Sequence, residues 1–263
     1  MECPHCSSAA TTERSDRTDL GYRRFRCRDR ERRFNERTGT PYHGLQYPTD
    51  IVLLVVLWRL RYKLSLRDLA EMFLERGFVF THEAVREWEA KLAPLIADQL
   101  RKRRRGVVGE SWYVDETFIK LDGRWYYLYR AIDRNGHLVD VRLSDTRDLA
   151  AARAFFRLAR DVTEVVPDRV TSDGHSSYPR AIALELGKDV TQRTNRYLNN
   201  YLEQDHRGIK QRVRPMLGFK RFTSAARFCR AHDELRNFLR PVTARNQKVS
   251  LARRRMVLLQ KPQ

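Results

Sequence analysis

Three carboxylates lie in local contexts that suit metal chemistry on a phosphate. Asp115 lies in the middle of an apolar, aromatic run, Trp112–Lys120, that is typical of a strand. Asp173 ends a short predicted strand next to Gly174, and Glu203 lies on a predicted helix. A carboxylate in a buried strand is costly unless a cation or hydrogen bonds compensate it, and a metal ion is one such cation. An edge strand with Asp115 in water is the alternative from this stretch alone.

Oxygen ligands of this kind suit Mg²⁺ or Mn²⁺, which keep water and accept substrate phosphates. Two such ions about 4 Å apart activate a water or a 3′-hydroxyl and stabilise the leaving oxygen of an in-line displacement. Because side chains alternate along a strand, Asp115 and Glu116 are expected on opposite faces, with only one of them in the site.

Basic residues follow Glu203 on the same predicted helix, about Leu198 to Val213. His206, Arg207 and Lys210 lie three, four and seven residues after the glutamate, on one helical face. Such a face is suited to holding DNA phosphate beside the metals. An ordinary surface helix is the alternative for His206 and Arg207.

The overall charge favours a polyanionic partner. The 263 residues carry a formal net charge of +19 with a pI of about 10.3, and 41% of them are hydrophobic. A basic globular chain of this kind most commonly binds nucleic acid. The apolar run Ile51–Trp58 is too short for a membrane span, and no signal-peptide pattern opens the chain. We therefore expect a DNA-binding, cytoplasmic, nucleoid-associated protein with no membrane partner.

Residues 1–44 contain three candidate zinc ligands, Cys3, Cys6 and Cys27. A zinc ribbon needs four soft ligands in two knuckles, and the second knuckle here has Arg30 at the position of its second ligand. A degenerate ribbon that packs without metal is the alternative to a zinc site.

Residues 45–105 are predicted to form helices, with Ser65 and Thr81 as N-caps. Three helices with a short turn between the last two resemble a helix-turn-helix, although any three-helix bundle gives a similar pattern. The run of five cations at 101–105 is typical of a linker along phosphates. The candidate DNA-binding residues of this domain are Arg86, Arg101, Arg103 and Arg104.

From Gly106 the pattern changes to strands. Three strands with an Asn135-Gly136 turn, a helix, a strand, a helix and an acid-bearing helix follow in order. This is the order of a ribonuclease-H-like α/β domain, predicted over residues 106–240, with a basic tail at 241–263. In that fold the first and fourth strands are neighbours, so Asp115 and Asp173 are expected to face one another.

Four stretches together resemble the DDE transposases of the insertion-sequence-six family, within the ribonuclease-H-like integrase superfamily. They are YPTDIVLLVVLWRLRYKLSLRDLAEMFLERG, VDETFIKLDGRWYYLYRAIDRNG, TSDGHSSYPRAI and NNYLEQDHRGIKQRVRPMLGFKRF. The segment RFRCRDRERRFNERTGTPY resembles the zinc-ribbon end of related transposases.

The resemblance implies that Asp115, Asp173 and Glu203 form the catalytic, metal-binding triad and that Lys210 is the basic residue after the glutamate. It implies cutting at terminal inverted repeats and joining of the freed 3′ ends to target DNA. A homodimer or larger assembly is expected, because two transposon ends must be held at once. Only 29 residues, 174 to 202, separate Asp173 from Glu203, fewer than the family usually has. A catalytically inactive DNA-binding protein, either a decayed transposase or a regulator, is the alternative.

Overall fold

The computed structural model describes residues 1–195, 200–216, 218–240, 250, 253–254 and 256–257, with positions 200, 201, 204 and 205 described by backbone alone. One unit comprises Met1–Val55 with Met256 and Val257, and the other comprises Val56–Arg255. Most of the predicted basic tail and the start of the helix predicted from Leu198 lie outside the described residues.

Three short antiparallel strands form the N-terminal sheet, in the order β1-β2-β3. They are β1 (Thr11–Arg17), β2 (Arg23–Cys27) and β3 (Arg33–Asn35). Alternation along β2 turns Phe25 and Cys27 inward, and Phe25 stacks on Phe34 with ring centroids 5.4 Å apart. The rings and the buried thiols of Cys3 and Cys27 form one small core. A sheet this small buries little apolar surface, and metal is a common supplement in such folds.

Three helices follow: α1 (Thr49–Arg61), α2 (Leu66–Leu74) and α3 (His82–Arg103). The predicted caps are confirmed, because Ser65 accepts a hydrogen bond from the backbone N–H of Asp68 and Thr81 accepts one from Ala84. Phe73 contacts the rings of Trp58 and Phe80, which fixes α2 between its neighbours.

The predicted linker at 101–105 is helical instead at its start. Helix α3 continues through Pro94 to Arg103, and Arg104 caps it. A run of cations is compatible with a helix C-terminus, where the macrodipole favours positive charge.

A five-stranded sheet carries the rest of the chain, in the order β6-β5-β4-β7-β8. The strands are β4 (Ser111–Leu121), β5 (Arg124–Asp133), β6 (Leu138–Ser144), β7 (Arg169–Ser172) and β8 (Thr191–Thr194). Strands β4, β5 and β6 are antiparallel neighbours, whereas β7 is parallel to β4 and to β8. Numbered from β4, the order is 3-2-1-4-5 with the second strand reversed, which is the ribonuclease-H-like arrangement predicted above.

Strand β8 was not predicted, because its four residues are polar and exposed and show no apolar alternation.

Two turns of this sheet have well-defined geometry. Asp122 and Gly123 both have positive φ, +44° and +81°, as a type I′ hairpin between β4 and β5 requires. At the predicted Asn135-Gly136 turn, the Asp133 carboxylate accepts hydrogen bonds from the backbone N–H groups of Asn135 and His137.

Helices α4 (Leu149–Thr163) and α5 (Ser177–Glu185) pack together and contribute to the core of this unit. Its centre comprises Trp112, Tyr129, Phe155, Phe156 and Tyr178. Helix α6 is Asn200–Val213, and a further helix, α7 (Phe222–Phe238), follows it. The predicted order of elements ends at α6, and α7 is therefore a helix that the sequence did not predict. No helix in the described part of the chain combines the length and apolar character that a membrane span requires.

Candidate active site

Two of the three predicted carboxylates meet at the edge of the sheet. Strand β4 pairs with β7 only from Ser111 to Tyr113, and Asp173 directly follows the last residue of β7. Carboxylate oxygens of Asp115, Glu116 and Asp173 lie within 4.8 Å of one another. The predicted approach of Asp115 to Asp173 is therefore present in the structure.

Glu116 belongs to this group, although strand alternation predicted that only one of the adjacent acids would face the site. The pairing of β4 with β7 ends at Tyr113, so no strand lies beside Asp115 and Glu116 on that side. Two side chains that leave opposite faces of a strand can approach each other around such an open edge. The position of Glu116 directly after Asp115 was the one feature of the sequence that could have indicated its place in the group.

Glu116 already has its charge compensated inside the protein. Its side chain is buried, accepts a hydrogen bond from the Tyr178 hydroxyl and forms an ion pair with Arg147. Arg147 also lies 3.6 Å from Asp173 Oδ2. Sequence reasoning assigned no role to Arg147 or Tyr178; Tyr178 lies in the quoted TSDGHSSYPRAI stretch, whereas nothing around Arg147 marks it.

The negative charge of Asp115 is compensated less well than that of Glu116. Its Oδ1 accepts a hydrogen bond from the backbone N–H of Glu116 at 2.8 Å, and its Oδ2 lies 3.9 Å from His206 Nδ1. Burial raises the pKa of Asp115 to about 7, and the charges of Glu116, Asp173 and Glu203 act in the same direction. Asp115 is thus an acid held in a place that favours its neutral form until a cation arrives.

Helix α6 packs against β4 and β5 and brings its residues to the site at different depths. His206 is buried, not on an exposed basic face. Burial lowers its pKa to about 3, and the charges of Arg130 and Lys210 add to the shift, so the ring is neutral.

Three charged side chains among the described residues of α6 are exposed. Two of them are Arg207 and Lys210. Glu203 is exposed and stands outside the group formed by Asp115, Glu116 and Asp173 among the described residues.

The arginines predicted to contact DNA from the helical region divide into two groups. Arg104 is buried, donates to both oxygens of Glu234 at 2.8 and 2.7 Å, and also bonds backbone carbonyls of β6. Arg101 donates to Asp140 at 2.7 Å. These pairings favour a structural role for Arg101 and Arg104. Arg103 and Arg86 are exposed, with Arg103 over the Phe238 ring and Arg86 paired with Glu83.

The three N-terminal thiols also converge. Sulfur atoms of Cys3, Cys6 and Cys27 lie within 4.8 Å of one another, and Cys6 Sγ is 3.6 Å from Cys27 Sγ. Burial opposes ionisation of Cys3, but hydrogen bonds from the His5 backbone and from the other two thiols outweigh it and lower its pKa.

Known proteins are similar to this chain in sequence. The family model for a DDE domain of IS240-type transposases matches residues 109–241. A transposase for the insertion sequence-like element IS431mec of Staphylococcus aureus (strain Mu50) is 39% identical over 172 residues, covering 64% of this chain and 75% of the relative. A transposase for insertion sequence element IS257 in transposon Tn4003 of Staphylococcus aureus is 38% identical over the same length, with the same coverage of each chain.

Two solved structures share a general similarity. One is the HTLV-2 integrase catalytic core domain in complex with magnesium, 12% identical, covering 57% of this chain and 98% of that chain with a TM-score of 0.39. The other is a simian T-cell lymphotropic virus intasome with PP2A regulatory subunit B56 gamma, 15% identical, covering 60% and 57%, with a TM-score of 0.40. The fold assignment rests on the strand order and not on these low scores.

The sheet and the relatives together define a polynucleotidyl transferase that acts in DNA transposition. Within that class, the chain belongs to the DDE transposases of the insertion-sequence-six family, as its motifs predicted.

Proposed function

We propose that Asp115, Asp173 and Glu203 are the catalytic and metal-binding residues of a transposase that cuts at terminal inverted repeats and joins the freed 3′ ends to target DNA. The observation that carries this proposal is the convergence of Asp115 and Asp173 from the neighbouring strands β4 and β7. Glu203 lies on a helix packed against the same sheet, and its charge acts on Asp115.

The donor set fits a hard divalent cation. All the donors at this edge are carboxylate oxygens, and Asp115 has no arginine or lysine partner among the described residues. Asp115 and Asp173 would hold the ion, because both oxygens of Glu116 are engaged by Tyr178 and Arg147. Two Mg²⁺ or Mn²⁺ ions, when bound, supply activation of the attacking hydroxyl and stabilisation of the leaving oxygen.

The remaining site residues bind and orient DNA in this proposal. Arg207 and Lys210 are exposed on α6, four and seven residues after Glu203, where their charges can reach phosphate. His206 is neutral and buried against Asp115, so it supports α6 on the sheet and adds no positive charge. Arg86 and Arg103 are the exposed phosphate contacts proposed for the helix-turn-helix region.

A strand-transfer assay tests the triad. Labelled transposon-end DNA is incubated with target DNA in Mg²⁺ or Mn²⁺, using the wild type and the variants Asp115→Asn, Asp173→Asn and Glu203→Gln. Each variant is expected to bind end DNA and fail to join it. Glu110→Gln removes an exposed acid just before β4 and is the matched control that keeps activity.

A catalytically inactive DNA-binding protein remains the second candidate, because Glu203 stands outside the carboxylate group. In that case the wild type and all three variants bind end DNA equally and none joins it in either metal. Joining by Glu203→Gln at the wild-type rate would instead remove Glu203 alone from the triad.

A zinc site is proposed for the ribbon-like N-terminus. Two thiolates bound to one tetrahedral zinc at 2.3 Å have sulfurs about 3.8 Å apart, close to the Cys6–Cys27 separation of 3.6 Å. The residues present supply three of the four ligands. Arg30 occupies the knuckle position of the fourth.

Cobalt substitution tests the zinc site without reference to activity. We expect sulfur-to-cobalt charge-transfer absorption for the wild type, a stronger band and tighter binding for Arg30→Cys, and loss of the band for Cys27→Ser. Absence of any band in both the wild type and Arg30→Cys would leave a ribbon that packs without metal.

The proposed substrate is double-stranded DNA, both as transposon ends and as target, in the nucleoid. A homodimer or larger assembly is proposed, because two ends must be processed together. Light scattering on paired end DNA is expected to give at least two copies of the chain per complex, whereas one copy per complex would contradict it.

A further inference from the structure

A groove with an aromatic side lies along the β4–β5 hairpin, beyond the carboxylates. The groove has a volume of about 870 Å³. Its aromatic side is formed by Phe118, Trp125 and Tyr127, with the ring of Phe118 centred 5.3 Å from Tyr127 and 6.3 Å from Trp125. Trp125 is 59% exposed and Phe118 is 45% exposed. Single exposed hydrophobic residues are ordinary, but a contiguous cluster of exposed aromatic side chains is typical of a binding surface.

The rest of the lining combines three cations with the uncharged residues Ile119, Val213 and Gly218. Lys120 Nζ lies 5.7 Å from the centroid of the Trp125 ring, and Lys210 of α6 and Arg214, which directly follows α6, also line the groove. Among the described lining residues there is no acid. Flat rings beside several cations are complementary to a ligand that is planar at one end and anionic at the other, which is the chemistry of a nucleotide.

The groove lies along β4, the strand that also carries Asp115 and Glu116. Glu116, Phe118 and Lys120 alternate onto one face of β4, and their β5 partners are Tyr129, Tyr127 and Trp125. Two residues of a strand advance about 6.8 Å, which is twice the rise of about 3.4 Å between stacked nucleotides, so successive members of this row suit an extended, unstacked single strand. Lys210 lines the groove and also lies two helical turns after Glu203.

We propose that this groove binds an unpaired nucleotide of the DNA substrate, whose base stacks on Trp125 and Phe118 and whose phosphate contacts Lys120 or Arg214. The proposal rests on the transposase function above and extends it, because it assigns the groove to single-stranded DNA next to the reacting phosphate. A second copy of the chain is the competing occupant of an exposed aromatic face. The absence of acids in the lining favours a polyanion over this basic chain itself.

Binding of fluorescein-labelled dT12 to the full chain in EDTA tests the groove separately from catalysis, with a mixed-sequence duplex of equal length measured in parallel. Trp125→Ala is expected to weaken dT12 binding roughly tenfold or more, because stacking on one aromatic ring contributes that much per base. Duplex binding should change less than twofold, and Trp125→Phe should restore most of the dT12 affinity.

Phe222→Ala is the matched control. Phe222 is an exposed aromatic residue that contacts Tyr126, whose side chain alternates to the other face of the hairpin. This variant should bind dT12 like the wild type, and circular dichroism should show every variant folded.

Unchanged dT12 affinity of Trp125→Ala would overturn the proposal. If Trp125→Ala forms a smaller oligomer than the wild type and keeps its dT12 affinity, the proposal is also overturned, and the aromatic face is assigned to contacts between copies of the chain. Because no metal is present, loss of stacking and loss of catalysis are independent results. Failure of strand transfer with intact, Trp125-dependent dT12 binding would contradict the proposed function alone.

Discussion

Two aspartates of the same unit, one fully buried and one partly buried, have opposite surroundings. Asp233 on α7 is fully buried, and its two oxygens accept hydrogen bonds from the Arg130 guanidinium at 2.8 and 3.0 Å. Burial alone would raise the pKa of Asp233, but Arg130 and the hydrogen bond with His232 outweigh it and lower the pKa to about 2. Asp115 has no arginine or lysine partner in the described part of the chain, and burial beside other acids raises its pKa to about 7.

The difference separates an acid whose charge is compensated inside the protein from an acid whose charge is not. A carboxylate whose charge is satisfied internally stabilises the fold and has no need of an external cation. A carboxylate kept among like charges destabilises the metal-free fold, and that unfavourable interaction is relieved when a cation binds. Asp115 is of the second kind, which supports its assignment to the metal site.

The largest effect is expected from Asp115→Asn. Strand transfer should fall by roughly 10³-fold or more, because metal stabilisation of the transition state supplies several kcal/mol. The free energy of unfolding in EDTA should be unchanged or higher, because the substitution removes an unfavourable buried charge. Strand-transfer rates and urea denaturation measure the two quantities. A large loss of stability would place Asp115 with the acids whose charge is compensated inside the protein.

Asp233→Asn is expected to show the reverse pattern in stability. Removing the charge takes from the buried Arg130 guanidinium the carboxylate that accepts two of its hydrogen bonds, and breaking such a buried pair costs about 3–5 kcal/mol. Urea denaturation measures the loss. Removing both charges in Asp233→Asn with Arg130→Met should recover part of it, since the buried guanidinium is then removed together with its carboxylate partner. Wild-type stability in the single variant would contradict the role given to the pair.

This contrast also explains what the sequence could predict. The β4–β7 neighbour relation followed from the order of elements, so Asp115 and Asp173 were predicted together correctly. Local patterns also predicted the Ser65 and Thr81 caps, because a cap is a relation between residues three positions apart.

The failures concern partners that are distant in the chain or at an open edge. Arg101 and Arg104 belong to a local run of cations, but their partners Asp140 and Glu234 lie 39 and 130 residues away. No local pattern indicates such a pairing. Glu116 was excluded by strand alternation, which holds inside a sheet and fails where β7 stops covering β4.

The pH dependence of stability should have opposite signs at the two aspartates. The pKa of Asp115 is raised in the folded protein, so its ionisation destabilises the fold as pH rises from about 4 to about 7. The stability of Asp115→Asn relative to wild type should therefore increase over that range in EDTA. Mg²⁺ should reduce the difference, because the cation favours the ionised form.

The folded pKa of Asp233 is depressed, so its contribution is present above about pH 4 and is lost as pH falls toward 2. The deficit of Asp233→Asn should shrink over that lower range. Urea denaturation midpoints between pH 2 and 8 measure both differences. Parallel curves for the two variants would contradict the assignment of opposite shifts.

The smallest effect is expected where the same kind of pair is exposed. Arg86 and Glu83 form an ion pair on α3, with side chains 56% and 53% exposed. Water and salt screen an exposed pair, and fixing two long side chains costs entropy, so Glu83→Gln should change the free energy of unfolding by no more than about 0.5 kcal/mol. The same substitution frees the Arg86 guanidinium and removes one negative charge, so DNA binding should be retained or strengthened at low salt. Weaker DNA binding without loss of stability would show that Glu83 positions Arg86 on the phosphate. The exposed pair would then contribute to DNA binding although it contributes little to the free energy of unfolding.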